Sequence, residues 1–552
     1  MKRTIVILLT AIACTCVATA KVQLPQLFQS GMVLQREKPI PVWGTADSNE
    51  IITIRWLKKE YTTTADHQGR WRLDLPKTKA GGPYTLEVRG KRNPADTIIL
   101  TDVLVGDVWL CSGQSNIDVT IERVYPQYPD EIDGFNLPQV RLFRVQNETN
   151  AHGPQSDIRP TGINWKPLTK QNACLFSAVG SFLGKRQWEK YKVAQGIIVN
   201  SWGGTPIEAW ISADSLQHRQ PLLVEKTRLY DNPDFIQAQQ RANQLADQRW
   251  YALLDQRDPG VQQQFAKPDY DDSHWPVIDQ EQWLWRGIGT TWYQYPPRCY
   301  DIPEGVLFEG DNVITIRFIN KYGAAHFIPE KPYLIAFGDD RFSQSPMPAD
   351  YLKTLMGCWR DTWHDAQLPF CIVQLANYDG RQQTGNSSPL TPQPNPVNSN
   401  WALLREAQRT VARDDARAEL ACIIDLGETV DIHPLRKKEV AERVGLCIDR
   451  LVYGKKVLLS PQPVSTTVQG SDVIITFDQP LQTSVIGELE VADATGRYQN
   501  ADARIDGNKI SLKSPVSAPV SIRYAWKDCP RALLRSASGL PVVPFEQKVI
   551  AQ

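Results

Sequence analysis

The run Val103-Leu104-Val105-Gly106-Asp107-Val108-Trp109-Leu110-Cys111 is apolar at nearly every position and breaks into Ser112-Gly113-Gln114-Ser115-Asn116. A strand without a polar face has to be covered on both sides, and helices on the two faces of a mostly parallel sheet do this. The chain supplies the matching pieces. Ser177 to Tyr191 reads as a helix with Val179, Phe182 and Leu183 on one face. It leads into the strand Gly196-Ile197-Ile198-Val199-Asn200 and the turn Trp202-Gly203-Gly204-Thr205. Further on, Phe370 to Leu375 reads as a buried strand, Trp401 to Asp414 as a helix and Leu420 to Asp425 as another strand. A last helix carries Val440, Val444, Cys447 and Leu451 in register. The expected fold class is therefore α/β.

All-β stretches flank and interrupt this pattern. Pro39 to Gly44, Ile51 to Trp56, Trp71 to Leu75 and Tyr84 to Val88 read as short strands between turns. After Gly454 the alternation returns in Val473 to Phe477 and Ile510 to Leu512. Residues 232–258 form a long polar helical stretch, and Gly310 to Arg317 looks like part of a further β-domain. The expected division is a signal peptide at 1–20 and an N-terminal β-sandwich at 21–100. A catalytic α/β domain follows in two parts, 101–254 and 341–455, around an inserted β-domain at 255–340. A C-terminal β-sandwich occupies 456–552. Asn386 to Asn400, rich in Pro, Ser and Asn, is the clearest loop.

Lys plus Arg and Asp plus Glu both number 61, so no global field draws the chain to nucleic acid or to an anionic membrane. Lys2-Arg3, the apolar Ile5 to Ala13 and Ala18-Thr19-Ala20 read as an export signal, implying a secreted or periplasmic protein. Lipid anchoring through Cys14 or Cys16 is the weaker reading, because the residues before them make a poor lipobox. No later run is long and apolar enough to span a membrane. The other eight cysteines are scattered without Cys-x-x-Cys or His at metal-ligand spacing, so they suggest no metal site. Cys111, Cys371 and Cys422 fall in apolar strands and read as buried free thiols.

Ser115 follows a buried strand, at the sheet end where α/β proteins place ligands. A serine hydroxyl is a weak nucleophile until a base takes its proton, and that base needs an orienting acid. His433 lies between a strand and the start of a long helix, and Asp431 could reach it from the same loop; Asp425 is the second candidate for that acid. Each residue alone has a plainer role as a turn, a cap or a charge at a helix terminus. Their joint placement at sheet ends points to serine hydrolase chemistry.

Three blocks carry a resemblance. Trp109 to Asn116 resembles the nucleophile block of sialate O-acetylesterases, whose chemistry is that of the wider SGNH hydrolases. Asn200-Ser201-Trp202-Gly203-Gly204-Thr205-Pro206-Ile207-Glu208-Ala209-Trp210 resembles their second block, and Asp425 to Pro434 their last. Met32 to Arg36, Ala80 to Tyr84, Arg523 to Trp526 and Gly539 to Pro541 extend the likeness over nearly the whole chain. The resemblance implies an SGNH, flavodoxin-like parallel sheet and a serine esterase acting on O-acetylated sialic acid or another acetylated glycan. It implies Ser115, His433 and Asp431 as catalytic residues, with Gly204, Asn116 and Gln114 at the oxyanion and substrate, and a reaction that requires no metal or cofactor. The chain departs from the family in lacking a Trp-Tyr-Gln-Gly-Glu-Ser-Asn block between Phe342 and Trp359, and in a shortened insertion. That block supplies a strand and a side-chain oxyanion donor, and losing one such donor costs about two to three orders of magnitude in turnover. The alternatives are a catalytically impaired glycan-binding relative and an esterase of another glycan such as acetyl xylan.

Overall fold

The computed structural model describes residues 21–148, 153–158, 162, 164–265, 267, 270–271, 273–274, 348–378, 399–429, 431–483 and 486–550. The expected signal at 1–20, nearly all of the expected insertion from 275 onward and most of the Asn386 to Asn400 loop lie outside these residues.

The N-terminal region holds β1 (Val33–Gln35), β2 (Ile40–Thr45), β3 (Ile51–Trp56), β4 (Lys59–Thr64), β5 (Arg70–Leu75) and β6 (Gly81–Gly90). β7 (Ile98–Gly113) follows, 16 residues long. The expected boundary at 100/101 falls inside this strand, which serves two regions. Its first half pairs antiparallel with β6, from Val88↔Ile98 to Gly81↔Val105. Its second half pairs parallel with β10 (Gln195–Ser201), from Gln195↔Asp107 to Ser201↔Gly113. β8 (Asn136–Arg144) and β9 (Lys166–Thr169) complete an eight-stranded sheet of order β4-β3-β6-β7-β10-β8-β9, with β1 on β7. The sheet is thus mixed rather than mostly parallel, because one long strand joins a hairpin region to parallel partners. Trp56, Trp71, Ile52 and Val103 are buried in the core on the N-terminal side.

Helices cover the parallel part. α1 (Ser115–Asp118) and α2 (Ile121–Val124) follow β7, and α3 (Ala178–Tyr191) runs between β9 and β10. α3 starts at Ser177, whose hydroxyl accepts the Gly180 N–H, and its Val179, Phe182 and Leu183 are buried as their spacing predicts. α4 (Pro233–Arg257) has no buried residue, in keeping with its polar sequence. α5 (Pro348–Thr362), β11 (Phe370–Val373), α6 (Asn400–Asp414), β12 (Ala418–Ala421) and α7 (Lys437–Leu451) come next. α3 and α7 share a core that includes Phe182, Leu183, Ile197, Val199, Val440 and Ile448. In the C-terminal region β13 (Pro463–Gln469), β14 (Asp472–Phe477), β15 (Leu489–Ala492), β16 (Tyr498–Asn500), β17 (Asp502–Asp506), β18 (Lys509–Lys513), β19 (Ser521–Tyr524) and β20 (Phe545–Lys548) form two four-stranded sheets. Their facing sides close over Ile475, Phe477, Val491, Tyr524 and Phe545.

β11 pairs with β12 alone among the described residues, parallel, and stands apart from the eight-stranded sheet. Hydrogen-bond direction shows which edges have no strand partner among the described residues. Asp107 N–H donates to Ala194 O and Trp202 N–H to Gly113 O, so odd-numbered residues of β7 face β10 and Val108, Leu110 and Ser112 face away. In β11, Phe370 N–H donates to Arg417 O and Gln374 N–H to Ala421 O, so Cys371 and Val373 face away from β12. Two glutamine side chains occupy parts of these edges. Gln35 Oε1 accepts Val108 N–H at 3.0 Å. Gln408 accepts Leu375 N–H at 2.9 Å and donates to Val373 O at 3.4 Å. A cavity of about 2640 Å³ is lined by both strands, including Leu110, Cys111, Cys371 and Ile372, and by Trp359 of α5. Cys111 and Cys371 consequently keep part of their surface, whereas Cys422 is buried; all three thiols are free. Phe370 to Leu375, expected as a buried strand, is buried only at Ile372 and Gln374 for the same reason.

Candidate active site

Parallel pairing of β7 and β10 brings two turns to one sheet end. β7 stops at Gly113 and β10 at Ser201, its register partner. Ser115 then opens α1, and Trp202-Gly203-Gly204-Thr205 turns alongside it. A Cβ on Gly203 would lie 3.2 Å from Ser115 Cβ, tighter than side chains ordinarily approach, so glycine lets this turn lie against the serine. Gly204 has φ +75°, the left-handed region that glycine enters without a steric penalty. Thr205 Oγ1 donates to Trp202 O at 2.7 Å and accepts Trp210 Nε1 at 3.0 Å, which braces the turn. The Gln114 amide donates to Thr205 O and ties the two turns together.

The loop between β12 and α7 enters from the other side. His433 Nε2 lies 2.6 Å from Ser115 Oγ, a hydrogen bond across 318 residues of chain. Asp431 Oδ1 accepts the His433 backbone N–H at 2.9 Å and sits 3.6 Å from Nδ1. The second separation exceeds a hydrogen bond, and resting active sites commonly show such loose contacts that tighten around the reacting group. Asp431 and His433 are 6% and 4% exposed, so water screens their interaction little. Asp425, the other candidate acid, is engaged elsewhere: Arg443 and Arg535 hold its carboxylate.

Two cations that the sequence reading passed over support this loop. Arg123 of α2 donates to Asp431 Oδ2 at 2.8 Å and to His433 O at 3.4 Å. Lys437, the first residue of α7, is 2% exposed and donates to Asn116 Oδ1 at 2.6 Å. Burial, and then the Arg123 charge, push its ammonium down to about 7, against the opposing pull of Asp431 and Glu428. Only its place four residues after His433 could have drawn attention to it. Arg123 sits in a stretch without a readable motif.

Ser115, His433 and Asp431 therefore come together, and Gly204 stands beside them. Asn116 and Gln114 are present too, but their amides face protein groups: Asn116 donates to Ile432 O at 3.1 Å, and Gln114 binds Thr205 O. Among the described residues no group of three or more His, Cys, Asp or Glu side chains could hold a metal. A serine beside a shielded imidazole, at a rim of backbone amides, is equipped for acyl transfer.

No family model matches the chain. It is 32% identical to a sialate O-acetylesterase of Pongo abelii, over 93% of this chain and 90% of that protein. Identity to the Homo sapiens sialate O-acetylesterase is 31% over the same shares, and to the Mus musculus protein 23% over 93% and 92%. Among solved structures, the chain resembles a carbohydrate acetylesterase from Xanthomonas citri with a TM-score of 0.65 at 27% identity. The match covers 95% of this chain and 99% of that one.

Proposed function

The chain belongs to the sialate O-acetylesterase family, and from that premise we propose that it removes O-acetyl groups from sialic acids or related acetylated sugars. Ser115 is the nucleophile, His433 its base and Asp431 the acid that orients the imidazole. The observation that carries this assignment is the 2.6 Å contact between His433 Nε2 and Ser115 Oγ.

His433 takes the Ser115 proton as Oγ bonds to the acetyl carbon. The carbonyl oxygen becomes an oxyanion, received by the N–H groups of Ser115 and Gly204. The bond to the sugar oxygen then breaks, and His433 returns the proton to that oxygen, leaving acetyl-Ser115. Water attacks the acetyl-enzyme with His433 again as base, acetate departs and Ser115 recovers its proton. Asp431 stabilises the imidazolium formed in each half, while Arg123 holds the carboxylate in place.

The parallel pair β7–β10, with the nucleophile just beyond β7, supports an SGNH-like sheet. Lys2-Arg3 and the apolar residues after them support export, and no helix among the described residues is long and apolar enough to cross a membrane. One observation favours a second reading, a glycan-binding relative with impaired turnover: the chain lacks a block that the family resemblance implies would supply a strand, and among the described residues no strand bridges β7 and β11.

Acetate release from O-acetylated sialic acid, measured beside Ser115→Ala, separates the two. Release that disappears in the variant supports the esterase. A folded protein that releases no acetate from the sugar or from an aryl acetate leaves the binding relative.

A further inference from the structure

Lys437 occupies a place hostile to an ammonium group. It is buried, it lies at the N-terminal end of α7 where the helix dipole disfavours cations, and the Arg123 guanidinium is nearby. Its only side-chain hydrogen bond among the described residues goes to Asn116 Oδ1, at 2.6 Å. Asn116 is the residue after the nucleophile. Its Nδ2 donates to Ile432 O, the carbonyl between Asp431 and His433. A chain of two hydrogen bonds thus runs from the start of α7, through the helix that carries Ser115, to the peptide that carries the base. With the amine in place, the Asn116 amide is held in one orientation, oxygen toward Lys437 and nitrogen toward Ile432. Without it, the amide is free to turn and present its oxygen to the Ile432 carbonyl, which cannot donate to it.

We propose that Lys437 is a positioning residue of the acyl-transfer site, which acts through Asn116 to keep the Asp431–His433 loop in register with Ser115. The proposal rests on the assignment of Ser115 and His433 above. It concerns orientation alone: Lys437 touches no reacting atom, and a small displacement of the base lowers the rate without weakening substrate binding. A misplacement of about 1 Å can cost a hundredfold in rate.

The test is a double-substitution cycle on the full chain, with 4-nitrophenyl acetate as substrate and Ser115→Ala as control. Lys437→Met keeps the aliphatic volume and removes the amine; Asn116→Ala removes the relay. We expect Lys437→Met to lower kcat about tenfold to a hundredfold with KM within about twofold. Its melting temperature should equal or exceed that of the parent, since a buried amine has been replaced by an apolar group. The double variant should be no slower than Asn116→Ala alone, because the two residues act in series. A kcat within twofold of the parent, or losses that multiply in the double variant, overturns the proposal. If Lys437→Met does not fold, Lys437→Leu, which also lacks a donor, is measured by the same criteria. Activity retained in Ser115→Ala would overturn the assignment of the site itself, and so is distinguishable from failure of the positioning role.

Discussion

Lys437 also makes the site sensitive to pH through stability. Its folded ammonium titrates at about 7, whereas an unfolded lysine titrates near ~10.4. Between these values the unfolded chain binds the extra proton, so stability rises with pH across the window, by up to about 1.4 kcal/mol per unit. Below pH 7 both states are protonated and the penalty of the buried charge is complete. The groups that face the amine are Arg123, Asp431 and Glu428, with His433 on the same loop. Urea denaturation at pH 7 and pH 9.5 should therefore show the parent gaining on Lys437→Met as pH rises. A constant difference would mean that the amine keeps the same protonation in the folded and unfolded chain across this window, and so is not lowered by burial. Ser115, His433 and Asp431 were legible in the sequence because the chemistry demands a base near a nucleophile and sheet ends are where α/β folds place them. Arg123 was not, since its partner Asp431 lies 308 residues away and nothing local marks it. Asp431 was the first candidate along the chain and Asp425 the second, and Arg443 and Arg535, which hold the Asp425 carboxylate, could not be read locally.

Among the elements, α3 shows how tightly a helix can be seated on this sheet. A Cβ on Gly184 would lie 2.7 Å from Val140 Cγ1 and 3.0 Å from Ile197 Cγ1, both on stiff β-branched side chains of the buried sheet. Gly184→Ala should therefore destabilise the protein by about 1–3 kcal/mol, less whatever alanine returns in helix propensity. Gly357 in α5 is the counterpart: among the described residues a Cβ there meets nothing within 4 Å. Gly357→Ala should stabilise by about 0.5–1 kcal/mol. Denaturant midpoints moving in opposite directions would confirm both, and a stabilised Gly184→Ala would refute the close seating of α3. The helix itself was readable from the spacing of Val179, Phe182 and Leu183. The double membership of β7 was not, because an apolar run looks the same whether its edges meet antiparallel or parallel neighbours. That Leu110 and Cys371 face no strand among the described residues was equally invisible locally, since backbone pairing depends on what lies beside a strand.

At the scale of the whole molecule, Arg405 joins the α/β region to the C-terminal sheets. The side chain is fully buried, and it donates to Leu375 O and Ala376 O after β11 and to Lys527 O and Asp528 O after β19. Burial draws its guanidinium down to about 10, a measure of how dry the junction is. Arg405→Met should leave these carbonyls without their donor, at about 1–3 kcal/mol for each that water cannot reach. The expected result is a lower melting temperature and faster proteolysis between the two regions, while Ser115 and His433 keep their contact. An unchanged melting temperature would show that water reaches the junction.

By itself the sequence determined the succession β7, α3, β10, β11, α6, β12 and α7, the sheet-end position of Ser115 and the strands of both flanks at Ile51 to Trp56 and Val473 to Phe477, while β8 and β9 went unread. Those features follow from the period of apolar residues and from turn chemistry, which are local. Tertiary structure alone decided that β7 belongs to two pairings, that the Asn116 and Gln114 amides bind protein groups, that Arg123 holds Asp431 while Arg443 and Arg535 hold Asp425, and that β11 pairs with β12 alone among the described residues. Each of these depends on which atoms from distant segments arrive within about 3 Å of one another, the range over which hydrogen bonds choose partners.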